Sequence, residues 1–187
     1  MVKYLFITLV LLFFIAVGLF YKPIRVITPT IFGMTCVNDI ICVDDVTSID
    51  RATVLYKEAL MFVSSALSKP KTKPRMIFCA SDDCNRTFGL GKKAAYALGK
   101  FGIVVSKRAW KPFYIRHEII HHLQYETLGT FKVLLLTPAW FTEGMAYDLS
   151  EDPRTPLSEP FETARTEFKA WYSVQSKDSL WLAAAKL

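Results

Sequence analysis

Residues 116–124 read RHEIIHHLQ and contain every histidine of the chain: His117, His121 and His122. On an α-helix, residues four apart lie only about 40° from one another, so His117 and His121 leave one face a turn apart and can ligate one ion. Glu118 sits about 100° round from His117, close enough to reach a water held at that ion without being a ligand. His122, about 140° from His117, cannot join the pair from a regular helix. Its place, beside the ligands, at a rim or in the core, is open at this level. This is the H-E-x-x-H arrangement of two metal ligands and a general base. The same letters also occur by chance, so they require a completing ligand elsewhere.

The helix that carries the motif is bracketed. Pro112 suits a first helical turn and Gly129 the position just past the end. The run FKVLLLTPAWF (131–141) follows. It reads as core in preference to the alternative, a second membrane-proximal contact. A further helix then starts, with Thr137 expected as N-cap, Pro138 at the first position and AWFTEGMAYDLS after it. A catalytic zinc normally takes three protein ligands and leaves a position for water. With no histidine left, the third must be a carboxylate or a thiolate. Glu143 lies 22 residues after His121, across a helix end, a loop and a first helical turn.

HEIIHHLQ followed by AWFTEGMA resembles the gluzincin metallopeptidases, in which H-E-x-x-H precedes, by about 18–25 residues, a helix carrying an E-G-x-A-like element. The likeness is nearest to small exported bacterial domains of the peptidase-MA-like type, and extends from the CASDDC segment to the C-terminus. It implies Zn²⁺ held by His117, His121 and Glu143, with Glu118 activating the metal-held water and passing its proton to the leaving amine. Gly144 would let its helix pack closely. The family also has a short sheet whose edge strand pairs with substrate backbone; here one strand of the 94–106 hairpin would serve. In thermolysin-like members a carboxylate one turn past the third ligand steadies a zinc histidine. Here Tyr147 holds that position and Asp148 is one further on. Tyr147 either packs or donates a hydrogen bond at the reacting centre. Arg116 reads as a solvated helix charge rather than a carboxylate-orienting group.

Upstream, the expected order is helix, strand, hairpin. Thr47-Ser48-Ile49-Asp50 reads as a capping box, followed by a core-facing stripe of Ala52, Leu55, Ala59, Phe62, Val63, Ala66 and Leu67. A Pro-punctuated turn occupies 69–74, a buried strand 75–81, and a short helix or turn runs from Asp82 to about Phe88. AAYAL, GKFG and IVVS (94–106) read as a β-hairpin. Downstream, Phe161, Ala164, Phe168 and Trp171 form one helical stripe, and residues 180–187 a short apolar end. The class is α+β and zincin-like: a small mixed sheet with an edge hairpin, helices on one side, and the H-E-x-x-H helix packed on it.

From Tyr4 to Tyr21 no residue is charged, and those 18 residues span about 27 Å as a helix, nearly a bilayer core. Residues 1–22 therefore read as a membrane anchor or a signal peptide. The anchor is favoured because the apolar run continues past the small-x-small site Ala16-Val17-Gly18. Either way the remainder is extracytoplasmic. Four cysteines in two close pairs fit that compartment. Four allow three pairings; the sequence-local one, Cys36–Cys42 with Cys79–Cys84, is the simplest, and C-x₂-C zinc spacing is absent. Residues 23–46 are expected as an irregular, disulfide-pinned lead-in, and 47–187 as the metallopeptidase domain. The formal charge of +6 comes from scattered Lys and Arg with no helical face interleaved with aromatics, so nucleic acid is not an expected partner.

The expected function is thus a membrane-anchored zinc endopeptidase acting on peptides or envelope proteins. Two rivals share the same residues: a non-catalytic, zinc-stabilised binding module at the membrane, and a zinc hydrolase of a non-peptide substrate.

Overall fold

In a computed structural model, the structure describes residues 3–4, 6–10, 13 and 22–187. The anchor or signal segment assigned to 1–22 falls largely outside the described residues. Among those described, no helix is long and apolar enough to cross a membrane.

The fold is α+β, built on a mixed five-stranded sheet. In chain order come α1 (Lys22–Ile27), β1 (Thr35–Val37), β2 (Ile41–Val43), α2 (Ile49–Ala66), β3 (Met76–Cys79), α3 (Asp82–Thr87), β4 (Ala95–Leu98) and β5 (Gly102–Ser106). The helical half follows, with α4 (Pro112–Leu128), α5 (Thr130–Leu135), α6 (Ala139–Leu149), α7 (Phe161–Tyr172) and α8 (Leu180–Ala184). Strand order is β1-β2-β3-β5-β4. The central pairings β2/β3 and β3/β5 are parallel, and the outer pairings β1/β2 and β4/β5 antiparallel.

The three inner strands are buried along their whole length, which is why they read as unbroken apolar runs. Their side chains alternate between two cores. Ile41, Val43, Met76, Phe78, Ile103 and Val105 face α2, α4 and the C-terminal helices. Cys42, Ile77, Cys79 and Val104 face the opposite way, onto Val26 of α1, Cys84 of α3, and Phe88. Helices on one side only was therefore the wrong expectation: the sheet is covered on both.

Residues 22–46 are not irregular either. They supply α1 and the hairpin β1/β2, whose second strand joins β3 in register. The disulfides are Cys36–Cys42, within that hairpin, and Cys79–Cys84, from β3 to α3. The stripe on α2 is buried as expected at Ala52, Ala59, Val63 and Leu67, with Tyr56 added. Its start differs. No side chain caps α2 at Ser48; instead Asp45 accepts from the Thr47 backbone N–H and hydroxyl and caps the preceding 3-10 turn.

The second bracketed helix also begins one residue later than expected. Pro138 holds the N-cap position and α6 starts at Ala139. Thr137 is drawn away because its hydroxyl donates to the Lys132 carbonyl at the end of α5. The apolar run around it is core only in part. Val133 and Phe141 are buried, but Phe131, Leu134, Leu135 and Leu136 are 60–70% exposed. A short helix between two longer ones has only one side to bury, and an all-apolar sequence leaves the rest facing solvent.

α4 is the central helix of the fold. Ile115, Ile119, Ile120 and Leu123 enter the core, and the polar residues between them are buried too. α6 packs across it while pressing its own back on α7. At that crossing Gly144 is obligatory in size: a Cβ there would lie 2.2 Å from the Ala164 carbonyl oxygen and 2.7 Å from the Phe168 Cβ. Phe141, Phe168 and Trp171 complete the contact with ring centroids 5.3–6.1 Å apart.

Candidate metal centre

α4 and α6 bring His117, His121 and Glu143 together. Nε2 of His117 and Nε2 of His121 are 3.1 Å apart. Each lies 3.7 Å from a carboxylate oxygen of Glu143. A tetrahedral zinc with bonds of about 2.0–2.1 Å has ligand atoms separated by about 3.3 Å. The two 3.7 Å contacts are to different oxygens of Glu143, Oε2 for His117 and Oε1 for His121. One atom from each residue lies within 4.8 Å of the others, a set that a small inward movement of the carboxylate would close to the size of a tetrahedral site. Among the described residues this is the cluster in which three ligand atoms converge within 4.8 Å.

Electrostatics fit the same use. Burial, aided by the neighbouring His121 charge, pushes His117 down to about 3. For His121 burial also opposes the proton, but the Glu143 hydrogen bond and charge, with Glu118 and Gln124 adding, outweigh it and raise the ring to about 9. The two imidazoles thus share one proton, because two imidazolium rings this close repel. Glu143 is held down to about 2: burial works against its charge, but the His121 bond and both imidazoles prevail.

Glu118 does not point into the triangle as a ligand. It is buried, its Oε2 has no hydrogen-bond partner, and desolvation pushes it up to about 7. A carboxyl titrating near neutrality beside such a cluster has the pKa a general base requires. Tyr147 stacks edge-on against His117 at 4.5 Å between centroids and lines the same cleft. Burial, helped by the Glu143 charge, raises its hydroxyl to about 12, so it remains a donor at neutral pH. Its ring packs on His117 and borders the cleft.

Sequence reasoning missed Gln124. It is fully buried; its Oε1 sits 2.9 Å from His121 Nδ1 and its amide donates to the Thr142 carbonyl at 2.9 Å. The contact holds a proton on Nδ1 and turns Nε2 toward Glu143. The signal was present, since a glutamine three residues past a ligand shares its helix face. Arg154 was missed too, and no periodicity marks it. It lies over the Tyr114 ring, donates to the Tyr114 hydroxyl at 3.1 Å, and is paired with the buried Asp152.

His122 takes no part. Its Nε2 is 3.4 Å from Glu126 and 3.3 Å from the Thr72 hydroxyl, and burial keeps its pKa low. Glu126 accepts the Lys71 and Thr72 backbone N–H groups, both at 2.9 Å, so the pair fastens the 69–74 turn to α4. Arg116 is not a solvated charge. Its side chain is 15% exposed, bridges Glu58 and Glu151, and covers the Phe62 ring at 3.7 Å.

The triad opens into a cleft of about 830 Å³, bordered by β4, α4, α6 and the 154–161 segment. β4 is an edge strand. Ser106 N–H donates to the Ala94 carbonyl and Phe101 N–H to the Leu98 carbonyl, with Tyr96 opposite Val104 between them. In an antiparallel ladder the intervening residues, Ala95 and Ala97, turn their backbone groups outward, here into the cleft.

In comparisons with known proteins, no family model, curated protein or solved structure matches the chain.

Proposed function

We propose that this chain is a zinc-dependent endopeptidase of the gluzincin kind, with a zincin-like fold, working on the extracytoplasmic side of a membrane. One observation carries the reading: two histidines and a glutamate whose ligand atoms converge within 4.8 Å, with a buried, unpartnered carboxylate oxygen beside them and an edge strand along the same cleft. A purely structural zinc site has no use for Glu118.

Zinc in this triad would supply a Lewis acid that polarises a carbonyl and acidifies a water. The chain's own residues do the remainder. Ala95 offers a backbone donor and acceptor and Ala97 an acceptor, its N–H being turned to Glu118, and these align an extended substrate along β4. Glu118, titrating near 7, accepts the proton of the attacking water and returns it to the departing amine. The protonated Tyr147 hydroxyl donates to the carbonyl oxygen as negative charge grows there. Gln124 holds the His121 ring in the orientation the triad needs.

The location rests on three features. The run 4–21 has the length and composition of an anchor, the disulfides suit an oxidising compartment, and the exposed leucines of α5 suit a bilayer interface.

The test is to purify the full chain in detergent, measure bound metal, and assay a broad peptide library with wild type and Glu118→Gln. Wild type is expected to carry about one zinc and cleave. The variant should keep the zinc and lose roughly 10²–10⁴-fold in kcat/KM. Stoichiometric zinc in wild type with no cleavage across the library would replace this reading with the binding module.

A further inference from the structure

The cleft is charged at one end. Lys92, Lys93, Arg108, Lys111 and Arg154 line it, against two carboxylates, Glu118 and Glu143, both belonging to the centre already described. Arg154 is neutralised by Asp152. The other four have no ion-pair partner among the described residues. All four are exposed; Arg108 donates to the Lys92 carbonyl and Lys93 lies over the Tyr96 ring, and neither contact neutralises a charge, so all four charges are available to a ligand.

Their placement is not scattered in space as it is in sequence. Lys92 and Lys93 precede β4, while Arg108 and Lys111 precede α4. Ala97 of β4 lies by Glu118 of α4, and the two lysines and their counterparts meet at the same cleft mouth, so both elements begin at one end. Lys111 is six residues before His117, about 9 Å along the helix axis. That equals about three residues of an extended chain lying on β4.

We infer that the substrate is an acidic peptide segment, whose carboxylates lie about three to four residues from the scissile bond, against Lys92, Lys93, Arg108 and Lys111. This rests on the peptidase reading for the word substrate, though not for the binding preference. Unpaired cations around a concave site raise the local concentration of an anionic ligand and select against a cationic one. Carboxylates closer to the centre meet Glu118 and Glu143, so the acidic residues flank the cleaved bond instead of forming it. The outward backbone groups of Ala95 and Ala97 favour a peptide over other polyanions, because only an extended amide chain pairs with a strand edge.

Binding is measured with the full chain in detergent, stripped of metal by dialysis so that no turnover occurs. Two ten-residue peptides are compared calorimetrically, one with Glu and Asp in its flanks, the other with Gln and Asn in their places. The acidic peptide should bind at least about tenfold tighter at low salt, the gap closing as ionic strength rises. Lys92→Gln/Lys93→Gln/Lys111→Gln should lose the gap. Lys92→Glu/Lys93→Glu/Lys111→Glu should shift preference to a lysine-bearing peptide. Equal affinity of wild type for the two peptides overturns the inference. So does an oligothymidylate that competes as well as the acidic peptide, since the cleft would then be reading charge without backbone. Acidic preference without hydrolysis once zinc is restored would sink the peptidase reading and leave the binding preference standing.

Discussion

Gln124 shows how much of the centre depends on a residue that is neither ligand nor base. Buried between His121 and the Thr142 carbonyl, it couples α4 to α6 through one amide. Gln124→Leu keeps the bulk and removes both bonds. Zinc affinity is expected to fall about 10–100-fold, read by competition against a chromophoric chelator, with the far-ultraviolet circular dichroism unchanged. An unaltered affinity would mean that the His121 ring is oriented by packing alone. Proton linkage gives a second prediction. His121 is raised to about 9, so the metal-free ring is cationic at pH 7 and must lose its proton to become a ligand. Metal uptake at pH 7 should therefore release about one proton, and apparent affinity should climb roughly tenfold per pH unit up to about 9, then level. Calorimetry in buffers of differing protonation enthalpy measures this; zero release would remove His121 from the ligand set. At this scale His117, Glu118 and His121 were legible because helical spacing alone aims them. The role of His122 was not, because its partners Thr72 and Glu126 meet only after the 69–74 turn folds back on α4.

Among the elements, α6 has the least latitude, since it presents Glu143 on one side and Gly144 to α7 on the other. Gly144→Ala drives a methyl into the Ala164 carbonyl, and the helices must separate. The expected cost is about 1–3 kcal/mol, seen as a fall of several degrees in the thermal midpoint, with weaker zinc retention because Glu143 moves with its helix. An unchanged midpoint would show that α7 yields freely. The boundaries of α4 could be read from Pro112 and Gly129, whose backbone preferences act locally. Those of α6 were displaced by a residue because Thr137 found a carbonyl on α5, an element that the unbroken run FKVLLL had concealed. A run without period specifies neither a helix nor its buried face.

The whole molecule is held at its sheet by two short covalent loops, with sequence separations of 6 and 5. Loop-closure entropy makes each worth about 2 kcal/mol. A thiol reductant is therefore expected to lower the thermal midpoint, with Cys36→Ser/Cys42→Ser accounting for about half of the loss; equal midpoints with and without reductant would contradict this. The first pair closes the β1/β2 hairpin, so the lead-in expected to be irregular is an integral edge of the sheet. The short strands there, three residues each, are too brief to carry a recognisable alternation.

The α+β class, the H-E-x-x-H helix and the β4/β5 hairpin were legible in the sequence alone, because local periodicity and turn residues specify them, whereas the cysteine pairing, for which sequence left three choices, was settled by the fold as the local one. What tertiary structure decided is everything that joins distant segments. Helices on both sheet faces, Gln124 behind His121, the exposed flank of α5 and the gathering of Lys92, Lys93, Arg108 and Lys111 at one cleft mouth belong to this group. The physical reason is the same in each case: such groups are brought together by burial of apolar area, which has no direction along the chain and leaves no spacing to read.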